Sequence, residues 1–133
     1  MVDDTQKLID YSIDFASKML TEKQEFFPFA ATVDLKGDII MTSYFDGDDH
    51  PQSQDLINKL QLLLDRLLDS RERRAYALTY DVKVKKDDTS EKTDAIAIKI
   101  KHTDTKDLRV YYFAYKLTTQ KTVEHLDSWA WVE

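Results

Sequence analysis

Residues able to do chemistry crowd into positions 44–56 of this chain. Asp46, Asp48 and Asp49 stand beside His50 there. Carboxylates within a few residues of one another suit calcium or magnesium, and a histidine extends the choice to manganese or zinc. The spacing departs from the EF-hand loop, which requires alternating oxygen ligands, a central glycine and a late glutamate. No H-x-x-x-H or H-E-x-x-H pair supports zinc. The plainer reading is a turn, in which Asp46-Gly47 bends the chain while Pro51 and Ser53 set up a following helix.

A second constellation is Glu25, Asp81, Asp94 and His102. A buried carboxylate with a histidine partner can do acid–base work. The plainer reading is that each sits at a strand end, capping a loop or pairing with a Lys or Arg. No serine lies in a nucleophile elbow. The chain has two glycines, Gly37 and Gly47. That excludes the Walker A loop and the dinucleotide fingerprint, which need several glycines for backbone approach to phosphate. It has no cysteine, which removes disulfides, thiolate zinc sites and a cysteine nucleophile. No catalytic residue, cofactor or metal is therefore assigned, and the chain is read as a non-enzyme.

Basic residues gather at Arg71, Arg73, Arg74 and at Lys83, Lys85, Lys86. Glu72, Asp87 and Asp88 interrupt them, as expected of a solvated helix end and strand face. The net charge of −6 and pI near 5.0 disfavour nucleic acid and anionic lipid. Partners are expected to be proteins, including a second copy of the chain, with no nucleic acid and no membrane. The polar first residues lack a signal-peptide pattern and no apolar run is long enough to span a bilayer, so a cytoplasmic protein is expected.

The elements that must position these residues follow from periodicity. Leu8, Ile9, Ile13, Phe15, Ala16, Met19 and Leu20 predict a helix over residues 5–23, capped by Asp3, Asp4 or Thr5. Residues 29–35 and 38–45 read as strands joined by a two-residue Lys36-Gly37 turn. Leu56, Ile57, Leu60, Leu63, Leu64, Leu67 and Leu68 predict a helix over 53–70 whose leucine face centres the core. Alternation marks strands through Tyr76–Val84, Ile96–Ile100 and Leu108–Leu117. Ala75, Ala77, Ala95 and Ala97 are expected to form one small-residue patch on a single sheet face. Tyr111, Phe113 and Tyr115 should share one face of the last strand, with Val110 and Tyr112 on the other. Residues 118–133 are ambiguous: Val123, Leu126 and Ala130 fit a short helix, whereas Trp129 and Trp131 alternate as in a strand.

The expected fold is one α+β domain over residues 1–133, with a core at 1–117 and a tail at 118–133. Its order is α-β-β-α-β-β-β plus a short terminal element, giving a five-stranded antiparallel sheet with helices packed on it. The candidate ligand or partner surface comprises Asp46, Asp48, Asp49, His50 and Ser53, together with Trp129 and Trp131. A terminal segment must dock on something to stay ordered, which makes its tryptophans interface candidates.

The element order resembles that of the roadblock and profilin-like sandwiches, which run helix, two strands, helix, three strands, helix. That resemblance implies dimerisation and scaffolding of other proteins, often small GTPases or their regulators. At residue level, Glu-Phe-Phe-Pro-Phe-Ala at 25–30, Asp-Gly-Asp-Asp-His-Pro-Gln-Ser at 46–53, Tyr-Asp-Val at 80–82 and Lys-Thr-Asp-Ala-Ile at 92–96 are similar to a family of small uncharacterised bacterial proteins. This likeness implies a bacterial, fold-sized unit and no chemistry. Three functions follow as expectations. The first is a protein-binding or scaffold domain, expected as a homodimer. The second is an immunity or antitoxin-type protein neutralising a basic toxin. The third is a metal-dependent ligand binder or enzyme using Asp46 to His50.

Overall fold

The computed structural model describes residues 2–42, 53–84, 93–103, 108–118 and 123–132. Among these residues, two helices, α1 (Val2–Lys23) and α2 (Ser53–Asp69), accompany six strands. The strands are β1 (Phe29–Val33), β2 (Ile39–Thr42), β3 (Ala75–Val84), β4 (Thr93–His102), β5 (Arg109–Leu117) and β6 (Val123–Val132). Every described pairing is antiparallel, in the order β2-β1-β3-β4-β5-β6. The expected sheet of five strands is thus one strand too small. The sixth is the terminal segment, whose Trp129/Trp131 alternation prevailed over the helical spacing of Val123, Leu126 and Ala130.

The helices lie on opposite faces of the sheet, so the core is divided in two. Leu8, Ser12, Ala16 and Leu20 form a fully buried i, i+4 row on α1. That row packs with Phe29, Ala31, Val33, Ala75, Ala77, Ile96, Ile98 and Ile100. Leu56, Leu60, Leu64 and Leu68 form the equivalent row on α2, against Ala30, Tyr76 and Leu78. The leucine helix therefore centres the smaller cluster, and the larger one belongs to α1.

The alanines do not form one patch. Ala77 pairs with Ile100 and Tyr80 with Ala97, so Ala75 and Ala77 lie on the α1 face while Ala95 and Ala97 lie on the other. Two strands of equal parity in the sequence are offset by their register, and a single-residue offset moves every side chain across the sheet. Close approach to α1 uses Ala77 beside Ala31 on the neighbouring strand instead, facing a helix row that contains Ser12 and Ala16.

Both helices end on a non-glycine residue in the left-handed region. Gln24 has φ 61° and its amide bonds Leu20 O at 2.8 Å, closing α1. Arg71 also has φ 61°. Its amide bonds Leu68 O at 3.1 Å, and the Glu72 amide bonds Leu67 O at 3.1 Å, which is the paired Schellman arrangement.

The β1–β2 connection is longer than the expected Lys36-Gly37 turn. Asp34 N bonds Asp38 O at 2.9 Å and Gly37 N bonds Asp34 O at 3.1 Å, with Gly37 at φ 94°. This is a three-residue loop whose last position is left-handed, the position glycine suits best. Asp34 Oδ1 accepts the amides of Lys36 and Asp38, both at 2.9 Å, which organises the turn from its first residue. Leu35, within the expected strand 29–35, instead sits at this exposed turn.

Candidate functional site

The first residue of note was not anticipated as a partner. Asp4 was expected as a helix cap, but α1 starts at Val2 and places Asp4 inside its first turn. Its carboxylate is buried and accepts two bonds from one guanidinium: Arg74 Nη2 to Oδ1 at 2.7 Å and Arg74 Nε to Oδ2 at 2.8 Å. His102 Nε2 lies 2.9 Å from the same Oδ2. The Arg74 bonds, then the His102 contact, hold the Asp4 carboxyl below its ordinary range against the opposing effect of burial. Arg74 also lies under the hairpin turn, where a Cβ on Gly37 would come within 3.0 Å of its Nη2. The group ties α1, the β1–β2 turn, β3 and β4 at one end of the sheet.

His102 is therefore not gathered with Asp81, Asp94 and Glu25. It opposes Ala75, whereas Asp94 opposes Lys83 at the other end of the same strand pair. Eight residues of strand separate Asp94 and His102, roughly 26 Å at about 3.3 Å per residue. Asp81 finds a different partner: Tyr115 Oη donates to its Oδ1 at 2.9 Å. Burial raises the Asp81 carboxyl, with the Tyr115 bond acting the other way, and burial beside Asp81 makes the Tyr115 phenol harder to ionise. Behind α2, Gln61 Nε2 donates to Tyr76 Oη at 2.8 Å, and Tyr76 Oη donates to Asp65 Oδ1 at 3.0 Å. Tyr76 is fully buried and its phenol is likewise pushed up, which suits a fixed donor in a packing contact rather than a titrating group.

Of the predicted surface residues, Asp46, Asp48, Asp49 and His50 lie outside the described residues. Among the described residues, no three His, Asp or Glu side chains gather as metal ligands. Ser53 opens α2, as its reading as a helix start requires. Trp129 and Trp131 fall in β6, opposite Tyr112 and Val110. Trp129 stacks on Tyr112, with centroids 5.6 Å apart and planes 22° from parallel. The Trp129 ring is thus partly used in docking β6 onto β5.

The concave feature of this side of the molecule lies on the opposite face of the same strands. Gln6, Ile9, Asp10, Ile13 and Asp14 of α1 face Phe113, Ala114, His125, Leu126 and Ser128 across a groove of about 390 Å3. A bulge lies beside it: Phe113 pairs with Ser128 but Tyr115 with His125, so β6 carries one extra residue there. Such an insertion bends the strand and increases its twist. At one end β6 approaches α1, where Ser17 Oγ and His125 Nε2 are 3.4 Å apart. Sequence reading missed the groove. The only signals were two i, i+4 pairs, Ile9/Ile13 and Asp10/Asp14, which broaden the helix's apolar stripe and edge it with acid.

In comparisons with known proteins, the chain matches no family model, no curated protein and no solved structure. Among the described residues, no helix is long and apolar enough to cross a membrane.

Proposed function

We propose that this chain is a non-enzymatic protein-binding domain that self-associates through β6. The observation that carries the reading is the position of β6. It is a ten-residue strand at the end of the sheet, and among the described residues nothing pairs with its outer side. An open edge of that length offers a row of backbone donors and acceptors to another strand. Edges are commonly blunted by lysine, proline, other charges or a bulge; β6 has no lysine or proline, and its acidic residues and bulge fall within residues 124–128, which leaves residues 129–132 for pairing. A second copy placed antiparallel would extend the sheet across a two-fold axis. The polar groups nearest to acid–base chemistry support a non-enzyme, since Asp81 and Tyr115 satisfy each other and His102 is engaged by Asp4.

An immunity or antitoxin-type role is the second reading, favoured by the net charge of −6. A basic toxin would be steered to an acidic partner.

Light scattering tests the self-association. The intact chain should give twice its 15.6 kDa mass at micromolar concentration. Ala130→Lys, at an exposed position of β6, should give a folded monomer, because a charge on the edge opposes strand addition. A monomer at every concentration would remove the dimer.

A further inference from the structure

The groove between α1 and β6 has a composition that selects its occupant. Its floor is apolar: Ile9, Ile13 and Phe113 are each only partly covered by the core. Leu126 stands at its lip with half of its surface exposed. Asp10 and Asp14 border it from α1, one turn apart and both exposed. Asp10 accepts a bond from the neutral amide of Gln6 at 2.8 Å, which leaves its charge uncompensated. Among the described residues no lysine or arginine lines the groove; Lys18, a further turn along α1, is not among its lining residues.

We propose that this groove is the docking site of a protein segment that pairs an apolar anchor with lysine or arginine, supplied by a partner other than a second copy. The proposal rests on the protein-binding reading above but not on the dimer. A volume of about 390 Å3 is at the small end for a ligand site, so it takes side chains of a segment rather than a folded surface. The apolar floor accepts the anchor. The two aspartates, i, i+4 neighbours whose Cβ atoms lie about 5–6 Å apart, accept the cation. A lysine or arginine can also lay its methylene stem along the floor while its head reaches the acid. Phosphate-bearing partners are repelled by the same carboxylates. The dimer proposed above joins through backbone pairing at the outer edge of β6 and does not call on this groove, which leaves the groove to a different, basic partner.

Fluorescence anisotropy with three labelled peptides tests this on the intact chain. One alternates leucine and lysine, one alternates leucine and glutamate, and one alternates serine and lysine. The leucine–lysine peptide should bind and the other two should not. Asp10→Asn combined with Asp14→Asn should weaken it about tenfold, from two exposed charge contacts of ordinary size. Leu126→Ala should weaken it as well. Glu22→Gln combined with Asp69→Asn, the same charge change at exposed positions elsewhere, should leave binding intact. Equal weakening by this control pair, equal binding of the serine–lysine peptide, or no binding of the leucine–lysine peptide would overturn the proposal. If the peptide fails while light scattering still gives a dimer, the groove is withdrawn and the protein-binding reading stands. If both fail, both are withdrawn.

Discussion

Two aspartates on the same face of the sheet carry opposite pH dependence. Asp4 has a lowered folded pKa, chiefly from its bonds to Arg74. Its stabilisation is present above the unfolded carboxyl value near 3.9 and is lost as pH falls through the lower folded value. Asp4→Asn should therefore shrink the loss of urea resistance in acid. Part of that loss should remain, because Asp34 is also lowered, first by the Asp38 amide. At pH 7, Asp4→Ala should cost about 3 kcal/mol in urea denaturation, the low end for breaking a buried pair, since Arg74 keeps 34% of its side chain in solvent. Asp81 behaves in reverse. Although Asp81 keeps much of its surface in solvent, loss of water around its carboxyl, and then the nearby Asp94, raise its folded pKa, so its small contribution is present below the unfolded value and is lost as pH rises through the folded one. Asp81→Asn keeps an acceptor for Tyr115. It should raise the urea midpoint at pH 7 and leave it unchanged at pH 3. An unchanged midpoint at pH 7 would show that the Asp81 carboxylate is already solvated. None of these pairings was legible in the sequence, because Asp4 is 70 residues from Arg74 and 98 from His102. Single-sequence patterns report neighbours, whereas these contacts depend on which strand lies beside which.

At the scale of elements, local rules worked where the signal was periodic and failed where register decided. The i, i+4 rows of α1 and α2 were readable and their burial follows them closely, since helix periodicity depends only on the chain itself. The split of Ala75 and Ala77 from Ala95 and Ala97 was not readable, because pairing offset is a relation between strands. The turn at residues 34–38 was misread by length, since Gly37 marks the left-handed position without saying how many residues precede it. Two predictions belong here. Gly37→Ala should cost roughly 1–2 kcal/mol from the left-handed backbone alone. Its Cβ also meets a guanidinium that Asp4 holds in place, so relaxation of Arg74 is opposed. Conversely, Arg71→Gly should stabilise the chain by about 1 kcal/mol, because Arg71 occupies the left-handed position of the Schellman motif ending α2. Thermal or urea denaturation reads both, and a destabilised Arg71→Gly would mean that the Arg71 side chain contributes more than its backbone strain costs.

Across the whole molecule, the sheet is unevenly covered. The main contacts of α1 are with β1, β3 and β4, and those of α2 with β3 and β1. At the β5–β6 end, Tyr115 joins the α1 cluster with Tyr111, Phe113, Leu117 and Val123 packed on it, and α1 meets β6 at His125 beside the bulge. The tail's two tryptophans indicated that this end mattered, and Trp129 does dock β6 by stacking on Tyr112. Their alternation already fitted a strand; what they could not indicate was that this strand lies at the end of the sheet, which moves the binding question from side chains to backbone. The acidic loop at 46–50 stays outside the described residues and keeps its reading as a turn or cation site to be tested by melts with added metal ions. The outer edge of β6 is where self-association is read out. Amide hydrogen exchange along Val123–Val132, followed at concentrations above and below dissociation of the dimer, tests it most directly. The amides that β5 does not bond should exchange slowly in concentrated solution and quickly on dilution, at alternate positions as strand pairing requires. Fast exchange of those amides at every concentration would contradict self-association through this edge.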